Sequence, residues 1–261
     1  MVRSKAYWLL LLFFSVAFTS RAEESNDKVI ADLLQKAAKA RDAFDDNGAL
    51  SWYRAVLAKD STNLEANFNM GIITQRKGWL LEDVNNDDAK KYYTEARAMA
   101  QKLYNMYPNS FEANLSMAGT IGRLTKFGSA KERVQSAWDI KKYADAAYKL
   151  RPNDPQLKHL LAWWNFELSK PSWFERSMAQ MLFGGLPKGA NVNTAISLML
   201  ELIKFNPNYV VYGYDLARFY EYAGDKVKAI ESLKRVLTLP PHAPEETTYL
   251  QSAKRLLNKL Q

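Results

Sequence analysis

The sequence predicts an all-α protein: a right-handed α-solenoid of about five helical hairpins, with insertions and a C-terminal capping helix. Three observations carry this. Small residues recur at one register position, Ala37, Gly71, Ala118, Ala162 and Ala217. At that position two helices approach most closely, and a large side chain would part them. A turn or stop follows each second helix, at Asp60-Ser61, Pro108-Asn109, Pro152-Asn153, Pro207-Asn208 and Pro240-Pro241. Two stretches also match, at four of seven positions, Glu65-Ala66-Asn67-Phe68-Asn69-Met70-Gly71 and Glu112-Ala113-Asn114-Leu115-Ser116-Met117-Ala118.

The hairpin from Asn206 to Pro241 sets the ruler. Counted from Val210, it places Leu216, Ala217, Tyr220, Ala229 and Leu233 where a tetratricopeptide (TPR) unit has its small or apolar residues, and Pro241 closes it. Helix A is predicted over Val211–Tyr222 and helix B over Lys226–Leu237, with the turn at Ala223-Gly224-Asp225 and a stop at Pro240-Pro241, where the ring nitrogens cannot donate. The same ruler gives units at 30–61, 62–108, 109–152, 153–207 and 208–241. Closing positions are 47, 44, 55 and 34 residues apart, and only the last step equals the ordinary TPR period. The middle units therefore carry insertions between helices A and B, at 78–93, 127–136 and 169–193. These either lengthen helices or present a binding face. Residues 245–260 read as the capping helix, with Tyr249, Leu250, Ala253, Leu256, Leu257 and Leu260 on one side and Glu245 and Glu246 near its positive end.

Composition bounds the rest. A chain of 261 residues with 48% hydrophobic content can bury a large core. Arg3 and Lys5, the apolar run from Ala6 to Phe18, and Ser20-Arg21-Ala22 together read as a secretory signal peptide over 1–22, leaving 23–261 as the repeat domain. Thirteen residues rise only about 20 Å as a helix, short of the roughly 30 Å hydrocarbon layer. Removal of Arg3, Lys5 and Arg21 would lower the net charge from +8 to +5. That mild excess suits an acidic partner or anionic surface, and no basic run is long enough to argue for nucleic acid. The leader leads to the expectation of an exported protein, periplasmic in a bacterium, or in the secretory lumen or outside the cell in a eukaryote, and not transmembrane after cleavage. The chain has no cysteine, so disulfides and thiolate chemistry are excluded.

Catalytic machinery is not legible. Gly184-Gly185 lacks the lysine and serine of a phosphate loop, and the two histidines, His159 and His242, are far apart in sequence. No catalytic, cofactor-binding or metal-binding residue is assigned, and no enzyme activity is expected. The Asn114-Leu115-Ser116 sequon falls inside a predicted helix, which disfavours glycosylation. A binding groove is the more informative reading. Helix A positions that line the concave side of TPR arrays correspond to Phe68, Ile72 and Arg76; Leu115 and Arg123; His159, Trp163 and Phe166; and Tyr214, Arg218 and Tyr222. Trp163 and Phe166 are expected to face a partner, whereas Trp164, Trp173 and Phe174 are expected to pack the long insertion against its own unit.

The stretch from Ser129 to Leu186 resembles the regulator of microtubule dynamics family. The residues that carry it are Lys131-Glu132-Arg133, Leu150-Arg151-Pro152-Asn153-Asp154, His159-Leu160-Leu161, Trp164, Ser172-Trp173-Phe174-Glu175-Arg176 and Leu182-Phe183. Two departures are Ala162, where a glycine is expected, and Trp163, where an arginine is expected. The resemblance implies a non-enzymatic helical-repeat domain that binds partner proteins, with phospholipid binding also attributed to such repeats. Combined with the leader, it points to an exported relative that never meets cytosolic tubulin. The function expected is a scaffold that holds a protein or peptide in its groove; the alternative is a phospholipid or fatty-acid carrier using the same groove.

Overall fold

The computed structural model describes residues 26–82 and 84–261, apart from the side chains of Trp173 and Phe174. The expected signal peptide lies outside the described residues. The chain divides into two compact units, one ending at Met70 and the other comprising Gly71–Gln261. Every regular element among the described residues is a helix.

In the first unit, α1 covers 26–42 and α2 is Asp46–Lys59. A third helix, α3, Leu64–Leu81, begins here and runs on past Met70. The core of α2 is Ala49, Leu50, Tyr53 and Val56, spaced i, i+1, i+4, i+7 along one face of an amphipathic helix. Asn67, in the first of the matched stretches, donates from its side-chain amide to the carbonyls of Ser61 (3.2 Å) and Asn63 (2.8 Å). Asn114, its counterpart in the second unit, donates to Pro108 (2.9 Å) and Ser110 (2.8 Å). The repeat thus has a physical cause: the asparagine in the first turn ties the incoming loop to the helix. It also buries Asn114 to 3% exposure, away from any glycosylating enzyme.

The second unit continues with α4 (Asn86–Met106), α5 (Phe111–Thr125), α6 (Ala130–Leu150), α7 (Pro155–Leu168), α8 (Trp173–Phe183), α9 (Val192–Phe205), α10 (Val210–Tyr222), α11 (Lys226–Val236) and α12 (Pro244–Leu260). Consecutive helices pair as α4 with α5, α5 with α6 and α10 with α11, while α9 packs against both α7 and α10. The insertions take two forms. At 78–93 and 127–136 they lengthen helices, so α4 and α6 each reach 21 residues. At 169–193 the chain adds α8, which packs on α6.

The family-like signature around Arg133 and Glu175 holds that added helix in place. Ser129 and Glu132 form a capping box at the start of α6, and Ser172 and Glu175 form another at the start of α8. Arg133 then joins the two ends, donating to Glu175 at 2.8 Å, and Trp138 Nε1 donates to the Gly185 carbonyl at 3.2 Å. Hydrogen bonds from Ser172 and Arg133 hold the Glu175 carboxyl below its usual range against the opposing pull of burial.

The last hairpin follows the sequence reading closely. Gly224 takes φ +83° in the turn, a conformation that costs a residue with a Cβ. Ala217 is fully buried among Val210, Ala229, Leu233, Val236 and Ala253. The capping helix starts earlier than predicted, with Pro244 in its first turn, where a missing N–H costs nothing. Fully buried Glu246 fixes that start. Its Oε1 accepts from the Val210 backbone N–H on α10 (3.0 Å), and its Oε2 from those of His242 (2.6 Å) and Ala243 (3.3 Å).

Candidate functional site

In the second unit, α7 and α10 bring polar and aromatic side chains together. On α7, His159 and Trp163 are four residues apart and share a side. Both reach across to α10, where Asp215 is fully buried. Trp163 Nε1 donates to Asp215 Oδ2 at 2.8 Å, and His159 Nε2 lies 2.8 Å from the same oxygen. An indole can only donate and a carboxylate only accept, so the donating form of His159 carries its proton on Nε2. The other oxygen, Oδ1, has no hydrogen-bond partner among the described residues. Inside a low-dielectric core such bonds strengthen, and here they set the orientation of the Trp163 indole.

That indole is enclosed on several sides. It meets the rings of Phe166 (5.5 Å) and Phe219 (5.4 Å) edge-on, while Phe166 and Phe219 stack at 4.2 Å. Arg218, one turn beyond Asp215, lays its guanidinium over Trp163 at 4.9 Å and near Tyr214 at 6.0 Å. Among the described residues Arg218 has no carboxylate partner. Two other cations are paired: Glu82 accepts from the Tyr93 hydroxyl and pairs with Lys126 (3.1 Å) and Arg123 (4.0 Å). Burial pushes the Tyr93 hydroxyl well above the usual tyrosine range, so it stays a donor.

The capping helix contributes to the same face. Tyr249 on α12 stacks on Trp79 near the end of α3, with ring centres 4.7 Å apart and planes 11° from parallel. It also meets Tyr214 edge-on at 5.4 Å. Both geometries suit the quadrupoles of aromatic rings. Burial raises the Tyr249 hydroxyl far above its ordinary range as well.

The sequence-predicted lining divides into three groups. His159, Trp163, Tyr214 and Arg218 are brought together, and Tyr222 lies beside them, 45% exposed, its ring 5.4 Å from Phe166 and its hydroxyl donating to the Ser169 carbonyl. Leu115 and Phe166 are core residues, 4% and 3% exposed, because both face a neighbouring helix rather than the open side. Phe166 is therefore the support of Trp163 and not a surface of its own. Ile72, Arg76 and Arg123 belong to the second unit and are at least partly exposed, whereas Phe68 lies in the first. Trp164 reaches α6, donating from Nε1 to the Ala137 carbonyl at 3.0 Å. The expectation for Trp173 and Phe174 falls on side chains outside the described residues. Sequence reasoning missed Asp215, Trp79, Glu82 and the inward role of Tyr249. A lone acidic residue inside Val210-Val211-Tyr212-Gly213-Tyr214-Asp215-Leu216-Ala217 was the available signal for the first.

The fold defines a tetratricopeptide-type helical-repeat protein. A solved structure of a thermophilic TPR protein of Thermus thermophilus superposes with a TM-score of 0.59 over 87% of this chain and 99% of that one, at 12% identity, which shows the fold. The family profile for regulator of microtubule dynamics proteins 1–3 matches residues 30–261. The chain belongs to that family. It is similar to regulator of microtubule dynamics protein 2 of Homo sapiens, 26% identical over 94% of this chain and 58% of that protein. It is also similar to protein 3 of Bos taurus (29%, covering 65% of this chain and 36% of the relative) and to protein 1 of Caenorhabditis elegans (25%, covering 67% and 77%). The chain thus spans little more than half the length of the human relative.

These relatives overturn the expected localisation. The apolar leader argued for export, to a bacterial periplasm, a secretory lumen or the exterior, but the matched proteins are animal regulators of microtubule dynamics, named for a polymer of the cell interior. A short apolar run with flanking cations is a pattern that does not by itself fix a destination. The argument that kept this chain apart from tubulin rested on export and falls with it. Among the described residues no helix is long and apolar enough to cross a membrane.

Proposed function

We propose that the chain is a non-catalytic helical-repeat scaffold that binds a protein partner on the inner face of its second unit, with Trp163, Tyr214, Arg218 and Tyr222 as contacts. The observation that carries this reading is Arg218. Its guanidinium is held over the Trp163 ring and has no carboxylate among the described residues. An arginine immobilised on an aromatic face loses little further entropy when it grips a carboxylate in its two-pronged geometry. The indole beneath it is fixed in turn by the buried Asp215 and His159. This is the make-up of a binding hot spot: an anchored aromatic, an arginine, and a supporting layer that excludes water. The partner it suits is a segment carrying acidic side chains. Because the face is polar and aromatic rather than an apolar chamber, the lipid-carrier alternative is not taken further.

The relatives' names make tubulin the first partner to test. The full chain, with Trp163→Ala and Arg218→Gln singly and together, is assayed by co-sedimentation with polymerised tubulin and by binding to soluble tubulin dimers. The expected result is retention of the wild type and a loss of about tenfold or more in affinity for each single variant. Equal binding by the double variant would move the contact off this face.

A further inference from the structure

The inner face already holds an aromatic ring from the chain itself. Tyr249 does not merely cover the last hairpin: it stacks on Trp79 of α3, which precedes it by 170 positions in the chain, and meets Tyr214 edge-on. Tyr214 is the residue that α10 shares between this seat and Arg218. One seat for a flat ring therefore lies next to one guanidinium with no carboxylate. The seat is filled by the chain; the guanidinium is not.

Resting on the reading above, we infer that Tyr249 is an internal stand-in for the partner. The partner segment carries an aromatic side chain next to an acidic one; its ring takes the place of Tyr249 between Trp79 and Tyr214, and its carboxylate pairs with Arg218. Ring stacking on Trp79 is geometrically selective, so two rings cannot share that face, which favours displacement over simple addition. Glu246, three residues before Tyr249, keeps the start of α12 attached, so it is the Tyr249 side chain that gives way to the incoming ring. Binding and release of Tyr249 are then linked. The affinity seen for the partner is the affinity of the open form reduced by the fraction of molecules that are open.

The test uses the full chain and a fluorescein-labelled synthetic peptide with one tyrosine flanked by glutamates. Two control peptides replace the tyrosine by alanine or the glutamates by glutamine. Tyr249→Ala empties the seat and is expected to bind the first peptide about tenfold more tightly than the wild type does, with both controls weak. Trp79→Ala removes the face on which the peptide's ring would stack and is expected to lose binding of the first peptide in both the wild-type and the Tyr249→Ala background. Circular dichroism confirms that each variant is folded. Equal affinity of wild type and Tyr249→Ala, with Arg218→Gln still weakening both, would overturn the stand-in role and leave the binding face standing. Binding that ignores both Tyr249 and Arg218 would overturn both.

Discussion

Replacing Ala217 by arginine is expected to destabilise the second unit by more than about 4 kcal/mol, adding roughly 1–3 kcal/mol of overpacking to the larger cost of an unpaired buried charge. Ala217 is fully buried and is surrounded by Val210, Ala229, Leu233, Val236 and Ala253, which come from α10, α11 and α12. A guanidinium there has no water and no carboxylate, and its stem would drive three helices apart. For a unit of this size each kcal/mol lowers the melting temperature by about 2–4 °C, so a drop of about 8 °C or more is expected. Ala217→Gly, which removes a methyl group and some helix propensity, should cost only about 1 kcal/mol. An unchanged melting temperature for the arginine variant would show that the repeat register is misplaced.

The second large effect is expected at Glu246. Its carboxylate accepts from the backbone N–H groups of Val210, His242 and Ala243, and it is fully buried. Glu246→Ala leaves the buried Val210 donor unmatched and removes the bonds that start α12. A loss of about 3 kcal/mol is expected, since hydrogen bonds to charged groups are worth about 1.5–3 kcal/mol and an orphaned buried donor adds its own desolvation cost. Thermal melting measured by circular dichroism checks this. Hydrogen exchange should show faster opening in α12 than in α5 and α6, because the lost bonds lie at that end. A variant as stable as the wild type would mean that α12 is held by its apolar contacts alone.

How much of this was legible in the sequence can be seen residue by residue. The last hairpin was, because every local cue agreed: apolar and small residues at helical spacing, Gly224 in the turn, and prolines after helix B. The recurrence of small residues was equally readable, and Ala37, Ala118, Ala162 and Ala217 are all fully buried. Gly71 is buried too, yet a Cβ there would meet nothing within 4 Å among the described residues, so close approach does not explain that position. The insertions were visible as lengths but not as shapes, since nothing local distinguishes a longer α4 from the separate α8 except the capping pair at Ser172 and Glu175.

The candidate site was half legible. Position within helix A brought His159, Trp163, Tyr214 and Arg218 onto the list, because helical periodicity alone puts them on one side. It could not separate Trp163 from Phe166, since both face inward and only the packing of Phe219 decides which of the two is covered. Asp215 was hidden for a different reason. A buried carboxylate is recognisable only through its partners, which lie more than fifty residues away on α7. Tyr249 was assigned to covering an apolar end, and its stacking on Trp79 is a long-range contact that no local pattern encodes.

The most direct test of the binding face is a photo-crosslinking comparison within the intact chain. A benzophenone amino acid replaces Tyr222, 45% exposed beside Trp163 and Phe166, or Tyr148, 52% exposed on α6 away from that cluster. With tubulin or another purified partner present, covalent adducts are expected from position 222 and not from position 148, and Arg218→Gln should remove them. Adducts from position 148 alone, or adducts at 222 indifferent to Arg218, would contradict the assignment of the inner face as the binding site.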